Sequence, residues 1–214
     1  SGGNITGTAL STALGSNDVT IQTSSTTASC SNASCSTGIN GNGDIVVNDS
    51  ISWSSNHTLT LSAYRNVTVS APISLSGSSG AALNIFANAA SSASYTTAGS
   101  GSGGIAINAP VTVSGAQGAV SLNATAISGI SETGLTFGYG GKINFTAYDN
   151  QSGLPTGSLV INGNSYTLYR TLAQLDALDG DDASNLLITV ADSTHDLGYI
   201  ALAEDLTATG TYYR

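Results

Sequence analysis

Hydrophobic residues in this chain fall on every second position over short runs, again and again. In "NVTVSAPISLSG" (66–77) the apolar positions are Val67, Val69, Ala71, Ile73 and Leu75. In "GIAINAPVTVSG" (104–115) they are Ile105, Ile107, Ala109, Val111 and Val113, in the same order. A period of two places alternate side chains on opposite faces of a strand, one face buried and one solvated. Two families of such runs alternate along the chain. One opens at Ile45, Val67, Ile105 and Ile143, the other at Val19, Leu59, Leu83, Val120 and Leu159. From the first family to the next member of the second, the step is nearly constant: Ile45 to Leu59, Val67 to Leu83, Ile105 to Val120, Ile143 to Leu159. The return step, as from Val19 to Ile45 or Leu59 to Val67, varies widely.

One fixed and one variable connection is the signature of a repeat in which equivalent strands stack on one another and extra residues leave at one corner. The expected fold class is therefore all-β: a right-handed parallel β-helix (β-solenoid) with loop insertions at one corner and a short helix near the C-terminus. The expected inward columns are Ile45, Val67, Ile105, Ile143 and Val47, Val69, Ile107, Phe145. Pro72 and Pro110 lack a backbone N–H and belong at a corner. An antiparallel β-sandwich also shows alternating strands and is the competing architecture. The expected insertions span about 24–43, 88–104 and 126–142, and such insertions often form a binding face. Tyr95, Phe137 and Tyr139 lie within them and are the candidate ligand contacts, with sugar rings as the stacking partners. The alternative is that these rings only cover the flank of the stack.

The rhythm changes late in the chain. In "YRTLAQLDALDG", Leu172, Leu175 and Leu178 have helical spacing, so a short helix is expected over about 170–179, closed by Gly180. The acid content shifts too: residues 1–148 hold only Asp18, Asp44, Asp49 and Glu132, while nine of the 13 acids lie from Asp149 onward. This divides the chain into 1–148, the coils, and 149–214, a more acidic continuation or cap. The run containing Asp176, Asp179, Asp181 and Asp182 lacks the ligand order of a calcium loop and reads as a solvated helix end.

Composition narrows the function classes. The four basic residues are Arg65, Lys142, Arg170 and Arg214 against a net charge of −9, which argues against a nucleic-acid partner. No apolar run approaches the roughly 20 residues of a membrane span. Cys30 and Cys35, in "SCSNASCS", are the candidate disulfide, with free thiols as the alternative. A disulfide places the chain in an oxidising compartment. No metal or cofactor motif is recognisable. The two carboxylates of a glycosidase are not gathered anywhere: Asp44 and Asp49 come nearest, and His57 and His195 lie in different regions without a nucleophile motif. The chain reads as a non-enzyme. Eight N-x-S/T sequons occur, at Asn4, Asn32, Asn48, Asn56, Asn66, Asn123, Asn144 and Asn150.

The stretch "NGDIVVNDSISWSSNHTLTLSAYRNVTVSAPISLSG", with "VTIQTSS" and "SLVINGNSYTLYRTLAQLDAL…GYIALAEDLTATGTYY", resembles the repeat region of filamentous-haemagglutinin-like exoproteins, the large two-partner-secretion adhesins of Gram-negative bacteria. The resemblance runs from about Leu10 to Tyr213. It implies a β-helical stalk, export through an outer-membrane secretion partner, and display at the bacterial cell surface, where the protein meets glycans, matrix or other cells. It implies no catalytic residue and no cofactor, and it marks the chain as an internal segment of a longer protein. Two other classes stay open. One is a structural spacer or filament subunit without a ligand. The other is an ice-binding solenoid, for which Thr60, Thr68 and Thr112 offer outward hydroxyls.

Overall fold

The computed structural model describes residues 4–23, 43–87, 103–124, 134–176 and 199–206. It opens with a helix, α1 (Gly7–Leu14). There follow β1 (Val19–Gln22), β2 (Ile45–Val47), β3 (Ile51–Trp53), β4 (Thr58–Ser62), β5 (Val67–Val69), β6 (Ile73–Leu75), β7 (Ala82–Ala87), β8 (Ile105–Ile107), β9 (Pro110–Val113) and β10 (Ala119–Ala124). The C-terminal part holds β11 (Leu135–Phe137), β12 (Lys142–Phe145), β13 (Ser158–Ile161), β14 (Asn164–Tyr169), the helix α2 (Leu172–Asp176) and β15 (Tyr199–Leu202).

The strands form three sheets. Sheet A has the order β1-β4-β7-β10-β13-β14-β15, sheet B β11-β8-β5-β2, and sheet C β12-β9-β6-β3. The chain visits B, C and A in turn, so each circuit adds one strand to each sheet. All pairs are parallel except β13–β14, which is antiparallel. That hairpin turns on Asn162 and Gly163, both with positive φ (50° and 83°), the backbone that favours an Asn-Gly pair in tight hairpins.

Register stacks like on like. In sheet A, Val19, Leu59, Leu83, Val120 and Leu159 form one column, the one the sequence pattern assigns. In sheet C, Ile51, Ile73, Val111 and Ile143 form another, beside Trp53, Leu75, Val113 and Phe145. Sheet B stacks Ile45, Val67, Ile105 and Leu135, and Val47, Val69, Ile107 and Phe137. Alternation thus becomes one continuous core, in which Val67, Ile73, Leu83, Ile107 and Val111 are wholly buried. Pro110 opens β9, where its missing N–H is tolerated.

Three expectations need correction. The chain is not the all-β, right-handed parallel β-helix read from the sequence. It is an α/β-like arrangement of parallel sheets with few helices, begun by α1 and ended by an antiparallel hairpin inside sheet A. Alternation reports which side of a strand is buried. It carries neither the hand of the connections nor what closes the ends. Second, Ile143 and Phe145 belong to sheet C, and Leu135 and Phe137 hold their expected places in sheet B. Third, the expected 126–142 insertion contains β11, so it is not a loop throughout. "LTF" is only three residues long and follows a glycine-rich context, which hid it. The remaining long connections, 24–42, 88–102 and 125–133, each join a sheet A strand to a sheet B strand and lie outside the described residues.

The helix α1 covers one end of the stack. Thr6 caps it, its Oγ1 accepting from the Ala9 amide at 3.2 Å, which satisfies one of the unpaired first-turn donors. Asp49 accepts from the Gly7 amide at 2.8 Å, a carboxylate at the positive end of the helix. The Ser52 amide donates to Ser11 Oγ at 2.9 Å, and Ser55 Oγ donates to the Leu14 carbonyl. These bonds occupy the outer edge of β3, and an open strand edge would otherwise recruit another chain.

Candidate ligand-contact face

Two of the three candidate aromatics are described, and they lie two residues apart at the other end of sheet B. Phe137 ends β11 and Tyr139 sits in the following turn. Tyr95, Cys30 and Cys35 lie outside the described residues, as do His195, Asp179, Asp181 and Asp182.

The turn 138–141 is built from glycine for a steric reason. The Gly138 amide donates to the Ile107 carbonyl and the Gly141 amide to the Gly138 carbonyl, both at 2.9 Å. A Cβ on Gly141 would stand 1.7 Å from the Ile107 oxygen, and Gly140 has φ +85°. The turn therefore lies flat on the preceding circuit, as only glycine allows. Tyr139 is the one side chain this turn carries, and it is fully exposed, at 106% of its reference area.

Phe137 is exposed for a different reason. It stands in the inward column above Ile107, but among the described residues no further strand follows β11 in sheet B. Its ring is thus a core residue left 49% exposed at the end of the stack. The two rings differ in kind: Tyr139 is displayed by its turn, Phe137 is the unfinished end of a core column. Sheet C ends differently, because the Phe145 amide donates to the Ala203 carbonyl at 2.7 Å. The segment around Ala203 is fastened by ion pairs, Arg170 to Glu204 at 2.9 Å and Lys142 to Asp205 at 2.5 Å. The Arg170 guanidinium also lies 3.9 Å from the centre of the Tyr148 ring, a cation–π contact.

The acids considered for catalysis have structural partners. Asp44 receives Arg65 through Nε at 2.9 Å and Nη2 at 2.6 Å, together with the Asn66 amide and side chain. The Arg65 hydrogen bonds are the largest influence holding its carboxyl below the ordinary range. Asp49 caps α1. His57 Nδ1 lies 3.2 Å from Asp18, which also accepts from the Thr58 amide at 2.8 Å. Among the described residues no three His, Cys, Asp or Glu side chains gather as a metal site, and no described helix is long and apolar enough to cross a membrane. Sequence reading missed that Phe137 is a column residue. The equal spacing of Leu135 to Phe137 and Ile105 to Ile107 was the available signal.

Comparison with protein-family models, with curated proteins and with solved structures finds no match to this chain.

Proposed function

We propose that this chain is a segment of a secreted, cell-surface adhesin, a stiff stack of sheets that holds ligand-contacting elements away from the cell. The observation that carries this reading is Tyr139: a fully exposed aromatic ring on a glycine turn pressed flat against the stack. Such a ring offers a flat apolar face to a sugar with little ordering cost, because its backbone is already fixed. The outer positions beside the columns are Thr60, Thr68, Ser74, Thr112 and Ser121, small and polar, suited to wet contact with glycans or matrix. The resemblance to filamentous-haemagglutinin-like exoproteins points the same way, with an outer-membrane secretion partner and export to the bacterial surface. The chain has no catalytic role and takes no cofactor in this reading, its partner is not nucleic acid, and it needs no membrane span.

A glycan array probed with the folded chain tests the proposal. Discrete binding that is lost in Tyr139→Ala supports it. A blank array from folded protein overturns the ligand-binding part and leaves a structural spacer, the reading that Phe137 favours, since a ring at the end of a core column needs no ligand to explain it.

A further inference from the structure

The stack is unfinished at its α1 end, and the gap has the shape of a strand. Sheet A begins one circuit early, with β1 paired to β4. Sheet C is closed at the same level by α1, which lies along β3. Sheet B has nothing at that level among the described residues: β2 is its last strand. A cavity of about 150 Å³ occupies the place. Its wall includes the whole run from Asp44 to Asp49, so it follows the free edge of β2 from end to end, and Ile5, Leu10 and Ile21 close the sides.

The backbone chemistry of the edge is set by the ladder on its other side. The Ile45 amide donates to the Asn66 carbonyl at 2.8 Å, and the Ser70 amide to the Val47 carbonyl at 2.9 Å. A strand turns alternate residues to opposite neighbours, so Val46 between them points its N–H and C=O into the gap. The floor is the end of the two inward columns, Ile45 and Val47. Asp44 and Asp49 stand at the two ends of β2.

We infer that this gap is an acceptor for one extended peptide strand of a partner, added parallel to β2. The strand carries two aliphatic side chains two residues apart, which continue the Ile45 and Val47 columns, with a basic residue flanking them at the Asp49 end; Asp44, at the other end, is already paired with Arg65. Strand addition to an exposed sheet edge is an established mode of peptide capture, with backbone bonds giving affinity and alternate side chains giving selectivity. The flanks decide the occupant. With β1 on one side and α1 on the other, a second copy cannot bring up a whole three-sheet end without meeting them, whereas a single strand fits between. The net charge of −9 favours a basic partner segment at moderate ionic strength.

The test uses the full chain and a fluorescein-labelled peptide, Lys-Val-Thr-Val-Lys, followed by anisotropy, with amide exchange read at Val46. The expected result is saturable binding, gained protection of the Val46 amide, and at least about tenfold weaker binding of Lys-Ser-Thr-Ser-Lys. Val46→Pro removes the N–H that faces the gap while keeping the Ile45 and Val47 bonds to β5, and should weaken binding by a similar factor. Ile5→Trp fills the mouth from a residue that is 54% exposed and should do the same, which keeps the test decisive if the proline variant does not fold. Absence of saturation, binding unchanged in Ile5→Trp, or equal binding of the serine peptide overturns the inference. So does a Val46 amide already protected in the free chain, which would mean that the chain's own residues fill the gap.

Discussion

Phe137 stacks directly on Ile107 in sheet B, yet Ile107 is wholly buried and Phe137 is half-exposed. Phe137 is therefore a residue whose value is packing, whereas Tyr139, two positions later and outside the column, is a ring whose value is display. Substitution separates them. Phe137→Ala should cost about 1.5–2.5 kcal/mol, roughly half the loss for a fully buried Phe, read as a lower denaturation midpoint. Tyr139→Ala should leave stability within about 0.5 kcal/mol, as for other surface changes, while removing glycan binding. Equal destabilisation by both would mean that Tyr139 is packed in solution and not displayed.

Trp53 gives the interior a built-in reporter. Its ring is buried in the sheet C column, and its Nε1 donates to the His57 carbonyl at 2.9 Å across the corner between β3 and β4. Trp53→Phe keeps most of the apolar volume and removes one of two donors to that carbonyl, which retains the Ala82 amide at 3.4 Å, so it should cost about 0.5–1.5 kcal/mol, the net worth of one hydrogen bond. Ile73→Ala, one circuit on in the neighbouring column, should cost about 2–5 kcal/mol through the cavity it leaves. In the native chain Trp53 emission should be blue-shifted and poorly quenched by acrylamide, and both should change at the unfolding midpoint. Ready quenching in the folded protein would contradict the buried placement.

Much of the stacking was written in the pattern itself. The nearly equal steps between Ile45 and Leu59 or Val67 and Leu83 measure one strand-to-strand path, and sheet A shows that register from β1 through β13. The ends were not written there. Alternation in "GTALSTAL" is absent, but the residues that fasten it to the stack, Asp49 and Ser52, lie some 40 positions away in sequence, and no local pattern reports such a contact. The assignment of Ile143 to the wrong sheet has the same root: sheets B and C use similar aliphatic triplets, and only pairing tells them apart. Of the candidate site, Tyr139 was visible as an aromatic among glycines. Whether its ring pointed outward depended on Ile107, a residue of another circuit.

Acid should loosen the fold at particular places. Asp44 is held below the ordinary carboxylate range chiefly by Arg65, Asp18 chiefly by the Thr58 amide, and Asp149 chiefly by the Ser152 amide. A depressed pKa means that the unfolded chain binds protons more readily. The stabilisation is therefore complete above the unfolded value near 3.9 and is lost as pH falls through the lower folded values. Urea midpoints should be flat from about pH 7 to 5 and drop steeply below about pH 4. Asp44→Asn should lower the midpoint at neutral pH and flatten the acid drop. An unchanged acid profile in this variant would show that Asp44 and Arg65 are not coupled to folding.

Ser62 makes the opposite prediction. It ends β4, is completely buried, and its Oγ has no hydrogen-bond partner among the described residues. A buried hydroxyl without a partner costs free energy that no contact returns. The backbone at this point is fully engaged: the Thr23 amide donates to the Ser62 carbonyl at 3.0 Å. Ser62→Ala keeps that bond and the β-structure while removing only the orphaned oxygen. It should be neutral or raise stability by up to about 1 kcal/mol, one of the few core substitutions here expected to do so. Ser62→Val should fare worse, because Gln22 and Phe86 occupy the adjacent register positions and leave little room for a second methyl group. A loss of more than about 1 kcal/mol in Ser62→Ala, seen in thermal and urea unfolding alike, would reveal a partner for that hydroxyl in solution.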